Sequence, residues 1–123
     1  MRKALLTIRD RLDRAGVLLS GLCMIHCLAG LLLVGVLGLG GEVLLSPAIH
    51  RVGLALAVVI GAITLGMGVI RHGQRAPLLI GGAGLALMAS AVIVQHGAGE
   101  ALLTIAGVCL VAIAHIRNLR AAA

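Results

Sequence analysis

Four long apolar stretches constrain this chain more than any other feature of its sequence. They run over residues 15–39, 52–70, 78–94 and 101–116. A helix needs roughly 20 apolar residues, with a range of about 17–25, to cross the hydrocarbon core of a bilayer. The fourth stretch is short, but flanking residues and local thinning of the bilayer can accommodate it. We therefore predict an all-α fold, a bundle of four transmembrane helices.

The composition excludes the main alternatives to a membrane protein. Hydrophobic residues make up 61% of the 123 residues, and charged residues only 11%. A soluble domain carries about 25% charged residues, and a disordered chain has low hydrophobicity. The chain has no Phe, Trp or Tyr, so it lacks the rings on which nucleic-acid bases stack. We expect the bilayer as a partner, and no nucleic acid.

The basic residues predict how the helices are oriented. Nine of the ten Lys and Arg residues lie in residues 2–14, 71–75 and 117–120, and the tenth is Arg51. In a four-span topology those three segments share one side of the membrane. By the positive-inside rule, the N- and C-termini are both cytoplasmic. We therefore divide the chain into a basic cytoplasmic arm (1–14), a four-helix domain (15–116) and a cytoplasmic tail (117–123).

The first stretch contains the densest group of polar side chains, which are Ser20, Cys23, His26 and Cys27. Polar groups are costly in hydrocarbon, so such a group is a candidate functional site. On a helix, Cys23, His26 and Cys27 share one face, with Cβ atoms roughly 5–6 Å apart. Thiolate and imidazole suit soft and borderline metal ions. A metal site is the interpretation we favour over small core residues, although free Cys also packs like a small hydrophobe.

The remaining His, Cys and Glu residues are weaker candidates. His50, His96 and Glu100, with Glu42 near them, are candidates for an N/O metal site at the external side. His72 and His115 are candidates for a site at the cytoplasmic side. Cys109 is a candidate third thiol. Each single His is also explained as an interfacial residue bonded to water or to a helix end, so the metal path that these residues outline is a hypothesis.

We expect no enzyme activity, because no catalytic motif is present. The sequence lacks paired intramembrane carboxylates, a phosphate-binding Gly-rich loop, H-E-x-x-H and G-x-S-x-G. Two alternatives to a metal carrier stay open. One is a haem protein with two axial His ligands, either His72 with His115 or His50 with His96. The other is an accessory membrane subunit without a ligand.

Several segments of the chain resemble the MerC family of mercury-resistance membrane proteins. The most specific is the Leu-Cys-x-x-His-Cys core of residues 20–27 (SGLCMIHC), which follows DRAG at 13–16. Residues 103–118, with Ala-His-Ile-Arg-Asn at their end, resemble the closing helix of small MerC-domain proteins. His50 before the second stretch and residues 71–72 (RH) after it fit the same group.

The resemblance implies a multi-pass protein of the bacterial inner (cytoplasmic) membrane that carries mercuric ion inward. It assigns the ion to a cysteine pair in the first helix, which here is Cys23 and Cys27. The pair has three residues between its members where the typical pair has two, and the chain is richer in His. Zinc and copper are therefore alternative cargoes. Besides the bilayer and the metal ion, the expected partners are a cytoplasmic thiol acceptor and a second copy of the chain.

Overall fold

The computed structural model describes residues 1–38, 46–94 and 98–122. Four helices account for nearly all of them: α1 (Arg2–Gly35), α2 (Pro47–His72), α3 (Ala76–Ile93) and α4 (Ala98–Ala122). Each is long and apolar enough to span a membrane, and no strand occurs in the described ranges. The predicted all-α bundle of four transmembrane helices is confirmed.

The helices extend beyond the apolar stretches that predicted them. Helix α1 begins at Arg2, so the basic N-terminal segment is continuous with the first apolar stretch in one helix. At 1.5 Å per residue its 34 residues reach about 51 Å, well beyond the roughly 30 Å of a hydrocarbon core. The reason is packing, because Arg9 and Asp13 are buried within the bundle. Helix α4 likewise continues through most of the predicted tail.

Local sequence signals explain where several helices begin and end. Pro47 and Pro77 occupy the first turns of α2 and α3, where a missing N–H costs nothing. Gly73 ends α2 in the left-handed conformation, with φ of 71°, and its N–H donates to the carbonyl of Val69. Glu100 lies in the first turn of α4, where the helix dipole favours a negative charge.

Helix α4 packs against each of the other three helices, and α2 does the same. The buried core between them is formed by Ala57, Met88, Val108 and Val111. The four helices alternate in direction, so one end of the bundle carries both chain termini and is called the terminal end here. The opposite end carries the first turns of α2 and α4.

Glycines allow α3 and α4 to approach until their backbones touch. A Cβ added at Gly84 would lie 2.6 Å from the carbonyl oxygen of Gly107, and one at Gly107 would lie 2.7 Å from that of Gly84. On α2, the small residues Ala57 and Gly61 are buried and face the bundle. On α3, the small residues Gly82, Ala86 and Ser90 are exposed and point outward. Gly81, Gly84 and Met88 form the contact face instead.

We expect Gly84→Ala to destabilise the bundle and Gly82→Ala to stabilise it slightly. The first adds a methyl group against backbone, which cannot rotate away, and overpacking of this kind costs about 1–3 kcal/mol. The second adds the same group where nothing lies within 4 Å, and Ala is favoured over Gly in a helix by roughly 0.5–1 kcal/mol. Unfolding in detergent, followed by circular dichroism, measures both. Equal stability of the two variants would contradict the α3–α4 contact.

Candidate metal site

Three potential metal ligands from two helices converge inside the bundle. His26 and Cys27 are neighbours on α1, and His50 lies in the first turns of α2. One ligand atom from each residue can be chosen so that all three lie within 4.8 Å of one another. We call His26, Cys27 and His50 the three-donor site. Within the described residues, it brings one thiol and two imidazoles together.

The contacts between the donors are direct and largely shielded from solvent. The Sγ atom of Cys27 lies 4.0 Å from Nε2 of His50. The rings of His26 and His50 meet edge to face, with centroids 5.5 Å apart. Cys27 is only 6% exposed, and Nε2 of His26 has no hydrogen-bond partner among the described residues. A buried imidazole nitrogen of this kind is available as a ligand.

A carboxylate from a third helix orients His50. Oε1 of Glu100, at the start of α4, lies 3.2 Å from Nδ1 of His50. A negative charge beside Nδ1 favours the tautomer that carries the proton on that nitrogen, with Nε2 towards Cys27. Metal-binding His residues almost always have a carboxylate, a carbonyl or a water at their second nitrogen, which fixes the ring and raises its basicity.

The three-donor site opens into a cavity of about 510 Å³ that is lined mainly by α1 and α2, with residues of α3 and α4 completing it. Its walls are mainly apolar, and Cys23 and Met88 add two further sulfur atoms. Gly53 of α2 lies next to Cys23, since a Cβ at this glycine would make an ordinary van der Waals contact with the Sγ atom at 3.7 Å. Cys23 and Cys27 therefore line one cavity from the same helix face, and both are free thiols.

A second polar cluster lies at the terminal end of the bundle. We call its members, Asp13, Thr64, His72, His115 and Asn118, the carboxylate network. Oδ1 of Asp13 accepts from Nδ1 of His115 at 2.7 Å, and Oδ2 accepts from Nδ2 of Asn118 at 2.8 Å. Nδ2 of Asn118 also donates to the carbonyl of Thr64 at 3.1 Å. All of these residues except His72 are 0% exposed.

Hydrogen bonds fix the orientation of His72 as well. The backbone N–H of Gln74 donates to Nδ1 of His72 at 3.1 Å, which assigns the ring proton to Nε2. That nitrogen then donates to Oδ1 of Asn118 at 2.8 Å. Both ring nitrogens of His72 therefore have partners, and neither is open for a metal ion or a haem iron in this arrangement.

Two glycines make room for the network. A Cβ at Gly16 would lie 2.5–2.7 Å from three ring atoms of His115, and one at Gly68 would collide with the amide of Asn118. Arg9 adds a positive charge, with Nε 3.9 Å from Oδ2 of Asp13. The network thus joins α1, α2 and α4 through side chains that only close helix approach brings together.

Comparison with known protein families decides where the chain belongs. The family model described as MerC mercury resistance protein matches residues 13–120. The chain belongs to the MerC family. Searches of curated proteins and of solved structures gave no match. The matched range contains both the three-donor site and the carboxylate network. With its four membrane-length helices, this MerC protein is a multi-pass membrane protein related to mercury resistance.

The structure shows which candidate ligands of this MerC protein lie together. His50 and Glu100, the candidates for a site at the external side, lie beside the cysteine-bearing face of α1 in the structure. Helix α1 is long enough that Cys27 lies level with the first turns of α2 and α4, so the two groups form one site. His96 and Glu42 lie outside the described residues. Cys109 is half-buried on α4 and is not part of the cavity wall.

His72 and His115 are linked through Asn118 and Asp13 and do not face one another as a ligand pair. Sequence reasoning missed Asp13, Thr64 and Asn118 altogether. A signal for two of them was present, because Asp13 and Asn118 lie in the two segments that carry the family resemblance, at opposite ends of the chain. Neither segment alone indicates that the two pack together.

Proposed function

We propose that this MerC protein carries mercuric ion across the cytoplasmic membrane of a bacterium by ligand exchange. The observation that carries the proposal is the convergence of His26, Cys27 and His50 within 4.8 Å. A thiolate and two imidazoles match a soft or borderline ion, and a carboxylate or water site would be needed for a hard one. The family to which the chain belongs names mercury.

The apolar cavity supports transport of an ion that stays bound to protein ligands. An unpaired charge is costly in such surroundings, so the ion needs donors that replace its water. Cys27 and Cys23 would supply thiolates, and His26 and His50 neutral imidazoles. Each thiol loses a proton when it binds the ion, so affinity should rise with pH. The ion would leave by exchange onto a cytoplasmic thiol.

The basic residues, together with the fold, support inward transport. Nine of the ten Lys and Arg residues lie at the terminal end of the bundle, which the positive-inside rule assigns to the cytoplasm. The three-donor site lies towards the opposite end. It would therefore receive the ion from outside, and the ion would move inward along α1.

Proteoliposomes test this function directly. Vesicles that contain the purified protein and a trapped small-molecule thiol should accumulate radioactive mercuric ion, whereas protein-free vesicles should not. Zinc and cuprous ions, offered in the same assay, identify the cargo if mercury is not preferred. Equal accumulation in protein-containing and protein-free vesicles, for all three metals, would refute the proposal.

We expect Glu100→Gln to weaken mercuric-ion binding by about 10–100-fold, the usual effect of losing a partner that orients a ligand. The variant keeps the shape of the side chain and removes the charge that faces Nδ1 of His50. Equilibrium dialysis of purified protein measures the affinity. Asp10→Asn is the matched control, because Asp10 is 46% exposed and bonds to Arg9 at the other end of the bundle. Equal affinities in both variants would exclude the orienting role.

A further inference from the structure

A small second cavity lies between the three-donor site and the carboxylate network. Its volume is about 10 Å³, close to the minimum that one water molecule needs. Cys23 and Met88 line both this cavity and the large one, and His115 lines only the small one. Cys23 is therefore positioned between the region of Cys27 and the region of His115.

His115 offers a nitrogen that the rest of the molecule does not use. The residue is 0% exposed, and its Nδ1 is bound to the carboxylate of Asp13 at 2.7 Å. Because that contact takes the proton on Nδ1, Nε2 carries the lone pair when the ring is neutral. Nε2 has no hydrogen-bond partner among the described residues. A buried, unpartnered polar atom is costly, so this one calls for an explanation.

The arrangement around His115 repeats the one around His50. In both cases a buried carboxylate oxygen lies close to Nδ1, at 3.2 Å for His50 and 2.7 Å for His115, and the histidine lines a cavity. This carboxylate–imidazole pairing is typical of metal-binding histidine. The small cavity adds the thiol of Cys23 and the thioether of Met88, which are soft ligands as well. Two such pairs, one near each end of the same bundle, suggest two successive binding positions.

We propose that His115 is a ligand of a second, inner station for the soft metal ion, which the ion reaches through Cys23. This inference rests on the proposed function and extends it. The ion moves from a Cys27–Cys23 pair to a Cys23–His115 pair, with Met88 beside it. In that step the bond to the Cys27 thiolate breaks and a bond from Nε2 of His115 forms. The neutral imidazole needs to lose no proton, and the freed Cys27 thiolate is ready for protonation or for the next ion.

Equilibrium dialysis of purified protein against mercuric ion tests the inner station apart from the outer one. In a Cys27→Ser background the protein should still bind one ion through Cys23 and His115. Adding His115→Asn should weaken this residual binding by at least about tenfold, as expected for loss of a ligand. Asn keeps an N–H that can donate to Asp13 and removes Nε2 with the far side of the ring, so it is the conservative replacement. Met88→Leu, which conserves volume, should weaken the same binding and provides a second variant.

The outcomes distinguish this inference from the function on which it depends. Absence of binding to the wild type would contradict both. Binding to the wild type but none to Cys27→Ser would overturn the inner station and leave the outer site intact. Unchanged residual binding in the His115→Asn protein would also overturn it. If that variant does not fold by circular dichroism, unchanged binding in the Met88→Leu protein decides against the proposal.

Discussion

Cys27→Ser is expected to abolish mercuric-ion uptake into proteoliposomes, and Cys23→Ser to reduce it strongly. Cys27 is the only thiol of the three-donor site, and its Sγ lies 4.0 Å from Nε2 of His50. Serine conserves the shape of the side chain but is a poor ligand for a soft ion. Since loss of a mere orienting partner costs about 10–100-fold in affinity, loss of the thiolate itself should cost at least as much.

The chain offers a matched control for this experiment. Cys109 is also a free, partly buried thiol within a membrane-length helix, but it does not line the cavity. Cys109→Ser should therefore transport mercuric ion at the wild-type rate. Parallel loss in Cys27→Ser and Cys109→Ser would indicate a general effect of removing thiols. Wild-type uptake in the Cys23→Ser, Cys27→Ser double variant would exclude the thiol mechanism.

Asp13→Ala is expected to lower the free energy of unfolding by about 3–5 kcal/mol, the usual cost of removing one partner of a buried charged pair. The carboxylate accepts hydrogen bonds from His115 and Asn118, and both donors are fully buried. Alanine would leave the two side chains without a partner in the interior, with Arg9 nearby. Unfolding in sodium dodecyl sulfate, followed by circular dichroism, measures the change.

Asp10→Ala is the control for the Asp13 variant. Asp10 lies one turn earlier on α1, is 46% exposed and bonds only to Arg9 among the contacts described. Asp10 is nearly half exposed, but its partner Arg9 is only 2% exposed, so this variant should lose some stability, though less than Asp13→Ala, whose carboxylate is fully buried. If Asp13→Ala were as stable as Asp10→Ala, the carboxylate network would not be what joins α1 to α4.

The sequence was sufficient for the fold because the bilayer leaves few alternatives. A backbone in hydrocarbon must satisfy its own hydrogen bonds, so four apolar stretches of sufficient length mean four helices. The exact helix ends were harder to predict, because a hydropathy criterion leaves out the polar turns at the ends of a helix. His50 and Arg51 at the start of α2, and Arg71 and His72 at its end, were left outside the predicted stretch although all four are helical.

Only the part of the candidate site that lies on a single helix was predictable from the sequence. The spacing of Cys23, His26 and Cys27 placed them on one face without any knowledge of the other helices. The addition of His50 and Glu100 depended on the relative depth of three helices, which the length of α1 sets. Asp13 was not predicted, for a different reason. It lies among five basic residues in a segment that looks solvent-exposed, and only the packing of α1 against α4 buries it.

X-ray absorption spectroscopy of the mercuric-ion-loaded protein tests most directly whether His26, Cys27 and His50 hold the metal. We expect a first shell that contains both sulfur and nitrogen. The sulfur contribution should fall in Cys27→Ser, the nitrogen contribution should fall in His50→Gln, and Cys109→Ser should leave the spectrum unchanged. A shell of oxygen atoms only, or a spectrum that neither Cys27→Ser nor His50→Gln alters, would contradict the three-donor site.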